Sequence, residues 1–294
     1  MRKIIFKGAA VALVTPFNAD GKINYKKVEE LIEFQIANST NAIVVSGTTG
    51  ESATLSLREK IELTAFAAKV IHHRVPLIAG AGSNCTQSAA EICSQQEKAG
   101  VDALLIVTPY YNKCTPKGLF LHYKACAEKT DLPIIVYNVP SRTGVNIYPE
   151  TYEKLLEIKN ICAVKEASGN AEQAARIISL YSDAISVYCG NDDLTQVLLS
   201  CGAAGVISVL SNLCPKTMHD ICEANFQGET ERGAEIFDKY ARLIAAMSLE
   251  VNPIPVKTAM NLAGMNVGGF RLPLCEAENF TKERIARELA AIKN

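Results

Sequence analysis

Ten cysteines occur in this chain without a single C-x-x-C pair, and only four histidines accompany them. No combination of the two has the ligand spacing of a zinc site. The cysteines, at 85, 93, 114, 126, 162, 189, 201, 214, 222 and 275, often sit within apolar runs and read as small hydrophobes of a reducing cytosol. His72-His73 and His122 each fall within a predicted helix. An excess of one charge is also missing. Thirty Lys and Arg against thirty-one Asp and Glu leave a net charge of -1, which gives no electrostatic basis for binding nucleic acid or an anionic membrane. No stretch approaches the ~18 uncharged apolar residues of a spanning helix. The opening MRKIIFKGAAVALVTPF has the basic-then-apolar order of a signal peptide, but Lys7 interrupts the run and Thr15-Pro16 closes it without a cleavage site. A cytoplasmic protein is expected. No G-x-G-x-x-G follows an early strand, which removes the main support for a doubly wound dinucleotide-binding sheet.

What is present is a large core and a regular alternation. With 294 residues, 48% of them hydrophobic, the length fits two ordinary domains or one α/β barrel. Eight short apolar segments recur at VALVTPF (11–17), AIVVSG (42–47), PLIAGAG (76–82), ALLIVTP (103–109), PIIVYNVP (133–140), ICAVKEA (161–167), AISVYCG (184–190) and GVISVLS (205–211). They are apolar throughout, as strands buried on both faces must be. Segments of helical period lie between them, among them 25–37, 57–71, 86–98, 116–128 and 171–181. Thr86 before Gln87-Ser88 and Pro149 after Tyr148 are helix-start signals. Eight β-then-α units read as a (β/α)8 TIM barrel. Helical segments at 215–225, 228–249, 253–263 and 281–292 follow, so the expected organisation is a catalytic barrel over 1–227 and a C-terminal helical extension over 228–294.

A barrel of this kind carries its chemistry at the C-terminal ends of its strands. The polar residues there are GTTGES (47–52), TPYYNK (108–113), YNVPSRTG (137–144), Lys165 and Gly190-Asn191-Asp192. Lys165 ends an apolar strand. If it points inward, loss of water disfavours the ammonium, and a neutral amine there attacks ketones to form a Schiff base. The alternative is a structural network in which Lys165 pairs with Glu166 or another carboxylate. Gly47-Thr48-Thr49-Gly50 offers hydroxyls and closely spaced N–H groups for a carboxylate, or a glycine turn with threonine caps. Glu51 reads as a helix-start carboxylate. Tyr137 is either a phenol beside the lysine or a packed anchor. Arg142 is either a bidentate carboxylate ligand or an ordinary surface arginine.

GTTGES, TPYYNK, YNVPSRTG and AVKEASG, in this order and at these strand ends, resemble the signature of the dihydrodipicolinate synthase family, and the likeness runs from VALVTPF to the helices after residue 215. The resemblance implies that Lys165 condenses with pyruvate and that the enamine attacks L-aspartate 4-semialdehyde, on the route to diaminopimelate and lysine, with no cofactor or metal. It implies a proton relay of Thr48, Tyr137 and Tyr111, the last reaching in from a neighbouring subunit of a homotetramer built as a dimer of dimers. It also implies that Thr49 binds the pyruvate carboxylate, Arg142 binds that of the semialdehyde, and the backbones of Gly190 and Ile207 line the pocket. N-acetylneuraminate lyase and the 2-keto-3-deoxy sugar acid aldolases share the lysine but differ in the acceptor. Arg142 and the double threonine favour a short acceptor with its own carboxylate. In lysine-inhibited relatives an allosteric site corresponds to Ser52, Ala53, Asn84 and Tyr110 here, whereas two histidine positions are Leu57 and Lys60 and a glutamate position is Ser88. Weak inhibition by L-lysine is therefore expected.

Overall fold

The computed structural model describes residues 4–292. Eight strands, β1 (Gly8–Ala12), β2 (Ala42–Val45), β3 (Leu77–Gly80), β4 (Ala103–Val107), β5 (Ile134–Asn138), β6 (Ile161–Glu166), β7 (Ser186–Cys189) and β8 (Gly205–Ser208), close into a barrel in sequence order. Every pairing is parallel, including that of β8 back onto β1. The (β/α)8 barrel expected from the apolar runs is therefore present.

Side-chain alternation divides the strands between two cores. Ala10, Ala12, Val44, Ile78, Leu105, Ile135, Tyr137, Ala163, Tyr188 and Ile207 fill the interior of the barrel. Val11, Ile43, Val45, Leu104, Ile106, Val136, Val164 and Val206 face the surrounding helices. Between β5 and β6 the register slips once: Ile134 pairs with Ile161, but Ile135 pairs with Ala163, so β6 carries one residue more than β5.

The first strand lies earlier than the run 11–17 suggests, at Gly8–Ala12. Beyond it Val14 donates its N–H to Asn212 Oδ1 at 3.0 Å instead of to a strand, and Pro16 has no N–H to offer.

Helices α1 (Tyr25–Ala37), α2 (Leu57–Ile71), α3 (Thr86–Lys98), α4 (Pro116–Ala127), α5 (Pro140–Thr143), α6 (Pro149–Leu155), α7 (Ala171–Tyr181), α8 (Thr195–Ser200) and α9 (Pro215–Phe226) complete the barrel. Ser56 caps α2 in a reciprocal box with Glu59, a motif that stabilises a helix by about 1 kcal/mol. Two helix-end readings need correction. His72 and His73 terminate α2 with φ of 48° and 56° rather than lying within it. The cap of α3 is Cys85, and Thr86 sits one position inside, its hydroxyl 3.0 Å from His122 Nδ1. Helices α10 (Thr230–Ala246), α11 (Ile254–Leu262) and α12 (Asn279–Ile292) follow, α10 packing on α8 and α9, and α12 on α10 and α11.

Candidate active site

Parity along β6 decides what Lys165 does. It pairs in register with Tyr137 on one side and Tyr188 on the other, and parallel neighbours in register point the same way, so all three face the barrel axis. Lys165 is 5% exposed, and its Nζ lies 4.5 Å from the Tyr137 ring centroid. Among the described residues it makes no ion pair. Glu166 faces the helices instead. It accepts from Asn138 Nδ2 at 2.9 Å and from the Ser168 N–H at 2.9 Å. Burial pushes its carboxyl pKa up, and these hydrogen bonds oppose the shift. Adjacent residues on opposite faces cannot pair, which rules out the Lys165–Glu166 alternative.

Above Lys165 opens a cleft of about 270 Å³, whose lining includes Thr49, Tyr137, Arg142, Gly190, Asp192 and Asn252. Thr49 is buried and its Oγ1 accepts from Asn252 Nδ2 at 2.9 Å, which leaves the threonine proton free to donate. Arg142, exposed at the end of α5, donates from Nη2 to the Asn252 carbonyl at 3.0 Å. Four further N–H groups remain on that guanidinium. At Gly190 a Cβ would stand 2.6 Å from the Ala167 Cβ and 3.1 Å from Lys165 Cε, so only glycine leaves the lysine its path. Asp192 accepts from the N–H groups of Val209 and Leu210 at 3.0 and 2.8 Å through Oδ2, while Oδ1 has no partner. Burial raises its pKa, and Lys165 is among the groups opposing that shift.

Three of the eight expected site residues are not among the side chains that line this cleft. Thr48 lines a separate cavity of about 40 Å³, shared with Tyr137 and Lys60. The Ile207 side chain is fully buried in the interior layer of β8, two residues before Val209, which lines the cleft. Tyr111 is 90% exposed with φ of 71° and does not line its own chain's cleft. Asn252 was not singled out in the sequence, since nothing in VNPIP marks an asparagine as bridging Thr49 and Arg142. Glu51 also departs from expectation. It precedes a short 3-10 turn, Ser52–Thr54, but its carboxylate pairs with Lys257 at 2.8 Å.

None of the ten cysteines forms a disulfide. Among the described residues no three His, Cys, Asp or Glu side chains are grouped to hold a metal ion, and no helix is long and apolar enough to cross a membrane.

A lysine, a phenol, a threonine and a guanidinium around one cleft, at the C-terminal ends of parallel strands, define a barrel of the enzymatic kind. The model of the dihydrodipicolinate synthetase family matches residues 5–292, and the chain belongs to that family. A 4-hydroxy-tetrahydrodipicolinate synthase from Clostridium acetobutylicum is 49% identical over 274 residues, 93% of each chain. A dihydrodipicolinate synthase structure from Thermotoga maritima superimposes with a TM-score of 0.96 at 41% identity, covering 99% of both chains. A chloride-inhibited dihydrodipicolinate synthase from Acinetobacter baumannii, complexed with pyruvate, gives a TM-score of 0.96 at 39% identity over 99% of each chain.

Proposed function

We infer that this enzyme is a 4-hydroxy-tetrahydrodipicolinate synthase, a lyase that condenses pyruvate with L-aspartate 4-semialdehyde in diaminopimelate and lysine biosynthesis. The observation that carries the mechanism is Lys165 itself, inward-facing and without an ion-pair partner among the described residues at the base of the cleft. Its amine adds to the ketone of pyruvate, and loss of water gives an iminium. A proton then leaves the pyruvate methyl carbon, forming an enamine whose carbon attacks the aldehyde of the second substrate. The amino group of the adduct displaces Lys165 from the former ketone carbon, closing the ring and freeing the enzyme. The lysine imine supplies the electron sink, so the reaction calls for no cofactor or metal.

Tyr137 serves as general acid and base, relaying protons with Thr48 and with Tyr111 of a neighbouring subunit. The exposure of Tyr111 supports that arrangement, since an aromatic ring projecting from its own chain suits an interface. Thr49 and the loop N–H groups hold the pyruvate carboxylate, and Arg142 holds that of the semialdehyde, with the Gly190 and Ile207 backbones completing the pocket. The working form is a cytoplasmic homotetramer, a dimer of dimers.

The test is borohydride reduction in the presence of pyruvate, followed by peptide mapping. The label is expected on Lys165. Lys257, the other buried lysine among the described residues, is fully enclosed and spends its N–H groups on three acceptors, which leaves it no means of attack. A label on Lys257, or none, overturns the mechanism.

A further inference from the structure

Directly behind the Thr48-Thr49-Gly50 loop lies an ion pair cut off from water. The side chains of Lys257, on α11, and Glu51 are both 0% exposed, with 2.8 Å between Nζ and Oε1. Lys257 also donates to the carbonyls of Thr15, at 3.1 Å, and Gly269. The Phe17 and Phe270 rings stand 4.6 and 5.0 Å from its Nζ. The second oxygen of Glu51 accepts the Arg271 N–H at 3.1 Å. One pair thus joins the loop after β1, the loop after β2, α11 and the segment 269–271.

Stability alone does not account for this arrangement, because a buried pair commonly returns no more than apolar side chains of equal volume. Position does. Glu51 has φ of 54°, a left-handed conformation that non-glycine residues rarely adopt, immediately after the threonine loop. Thr15 Oγ1 donates to the Gly50 carbonyl at 2.6 Å, and Asn252, just before α11, donates to Thr49 at 2.9 Å. Asn252 before α11 and Lys257 within it therefore hold the loop at Thr49 and Glu51, either side of Gly50. Burial lowers the pKa of Lys257, and Glu51 opposes that shift, which sustains the charge of the lysine.

We propose that the Lys257–Glu51 pair is a positioning clamp for the pyruvate-binding loop, fixing Thr48 and Thr49 so that the substrate carboxylate meets preformed donors. The proposal rests on the reading that this loop holds pyruvate.

The experiment measures borohydride trapping against pyruvate concentration, together with melting temperature, for wild type, Glu51→Gln, Lys257→Met, the double variant and Ile285→Ala. Ile285 is buried in α12, belongs to neither the loop nor the ion pair, and serves as a destabilised control. Glu51→Gln preserves volume and is expected to raise half-saturating pyruvate on the order of 10-fold while changing the saturated trapping rate far less. The double variant is expected to be no worse than the poorer single one, since both losses act through one interaction. The clamp is overturned if Glu51→Gln melts lower, as Ile285→Ala does, yet half-saturates within about twofold of wild type. If Lys257→Met does not fold, Glu51→Gln decides alone. Absence of trapping in the wild type overturns the Schiff-base reading itself, an outcome distinct from trapping that is insensitive to the pair.

Discussion

Tyr137 and Lys165 are register partners across β5 and β6, and the lysine Nζ rests 4.5 Å from the centre of the tyrosine ring. The ring shields the amine while Tyr137 also reaches the small cavity that Thr48 lines. Tyr137→Phe keeps the ring and deletes only the hydroxyl. The expected result is a fall in kcat of ~10²-fold or more with pyruvate still trapped on Lys165. A kcat within about threefold of wild type would take Tyr137 out of the proton relay.

Gly190→Ala tests how closely the lysine is enclosed. The new methyl would lie 2.6 Å from the Ala167 Cβ and 3.1 Å from both the Glu166 carbonyl oxygen and Lys165 Cε. Backbone does not yield easily, so the Lys165 side chain is displaced. Trapping with pyruvate should slow on the order of 10-fold or more, and stability should fall by about 1–3 kcal/mol. An unchanged trapping rate would show that the lysine reaches its substrate by another rotamer.

Acid sensitivity has a named contributor in Glu59, which pairs with Arg271 and so ties α2 to the segment after α11. The Arg271 guanidinium, chiefly by hydrogen bonding, lowers the Glu59 pKa from its usual 4.5 to about 2. A carboxylate depressed on folding stabilises fully above its unfolded value and loses that contribution as pH falls toward the folded one. With allowance for solvent screening, the contribution is about 1–2 kcal/mol. Glu59→Gln retains the capping box but not the charge. Urea unfolding should show wild type ahead by that margin at about pH 7, and by less than half of it at about pH 3. A margin that does not shrink would refute the assignment.

L-Lysine should inhibit weakly. Lys60 lines a cavity of about 290 Å³ together with Ser52, Ala53 and Tyr110, and burial lowers its pKa. A ligand bringing two ammonium groups meets a cation there, and the position that is a glutamate in the lysine-inhibited relatives is Ser88 in this chain. Half-inhibition is expected above about 1 mM, and a value below that would overturn the expectation. Combining Leu57→His, Lys60→His and Ser88→Glu should strengthen inhibition.

The barrel was legible because each strand is a short run apolar on both faces, and because glycine, proline and polar clusters punctuate the runs. The site was legible where one strand end or loop supplied the chemistry, as with Lys165, Tyr137, Arg142 and Thr49. It was not legible where partners are remote. Asn252 meets Thr49 across 203 positions and Lys257 meets Glu51 across 206, and neither local pattern announces the other. The start of β1 was misplaced for a different reason. Its small residues, Gly8-Ala9-Ala10, suit the barrel closure but carry little strand propensity, while Leu13 and Val14 look more strand-like and belong to a packed loop.

The register slip at the start of β6 reaches further than its local geometry. Ile161 faces the helices, and strict alternation from it would turn Ala163 and Lys165 outward and bring Val164 and Glu166 to the axis. The additional residue reverses that parity for the rest of the strand. Whether the axial cavity receives a base or an acid is thus set by a counting rule, odd or even, three residues before the reactive group. A graft of this active site onto another barrel would have to transplant the miscount along with the lysine.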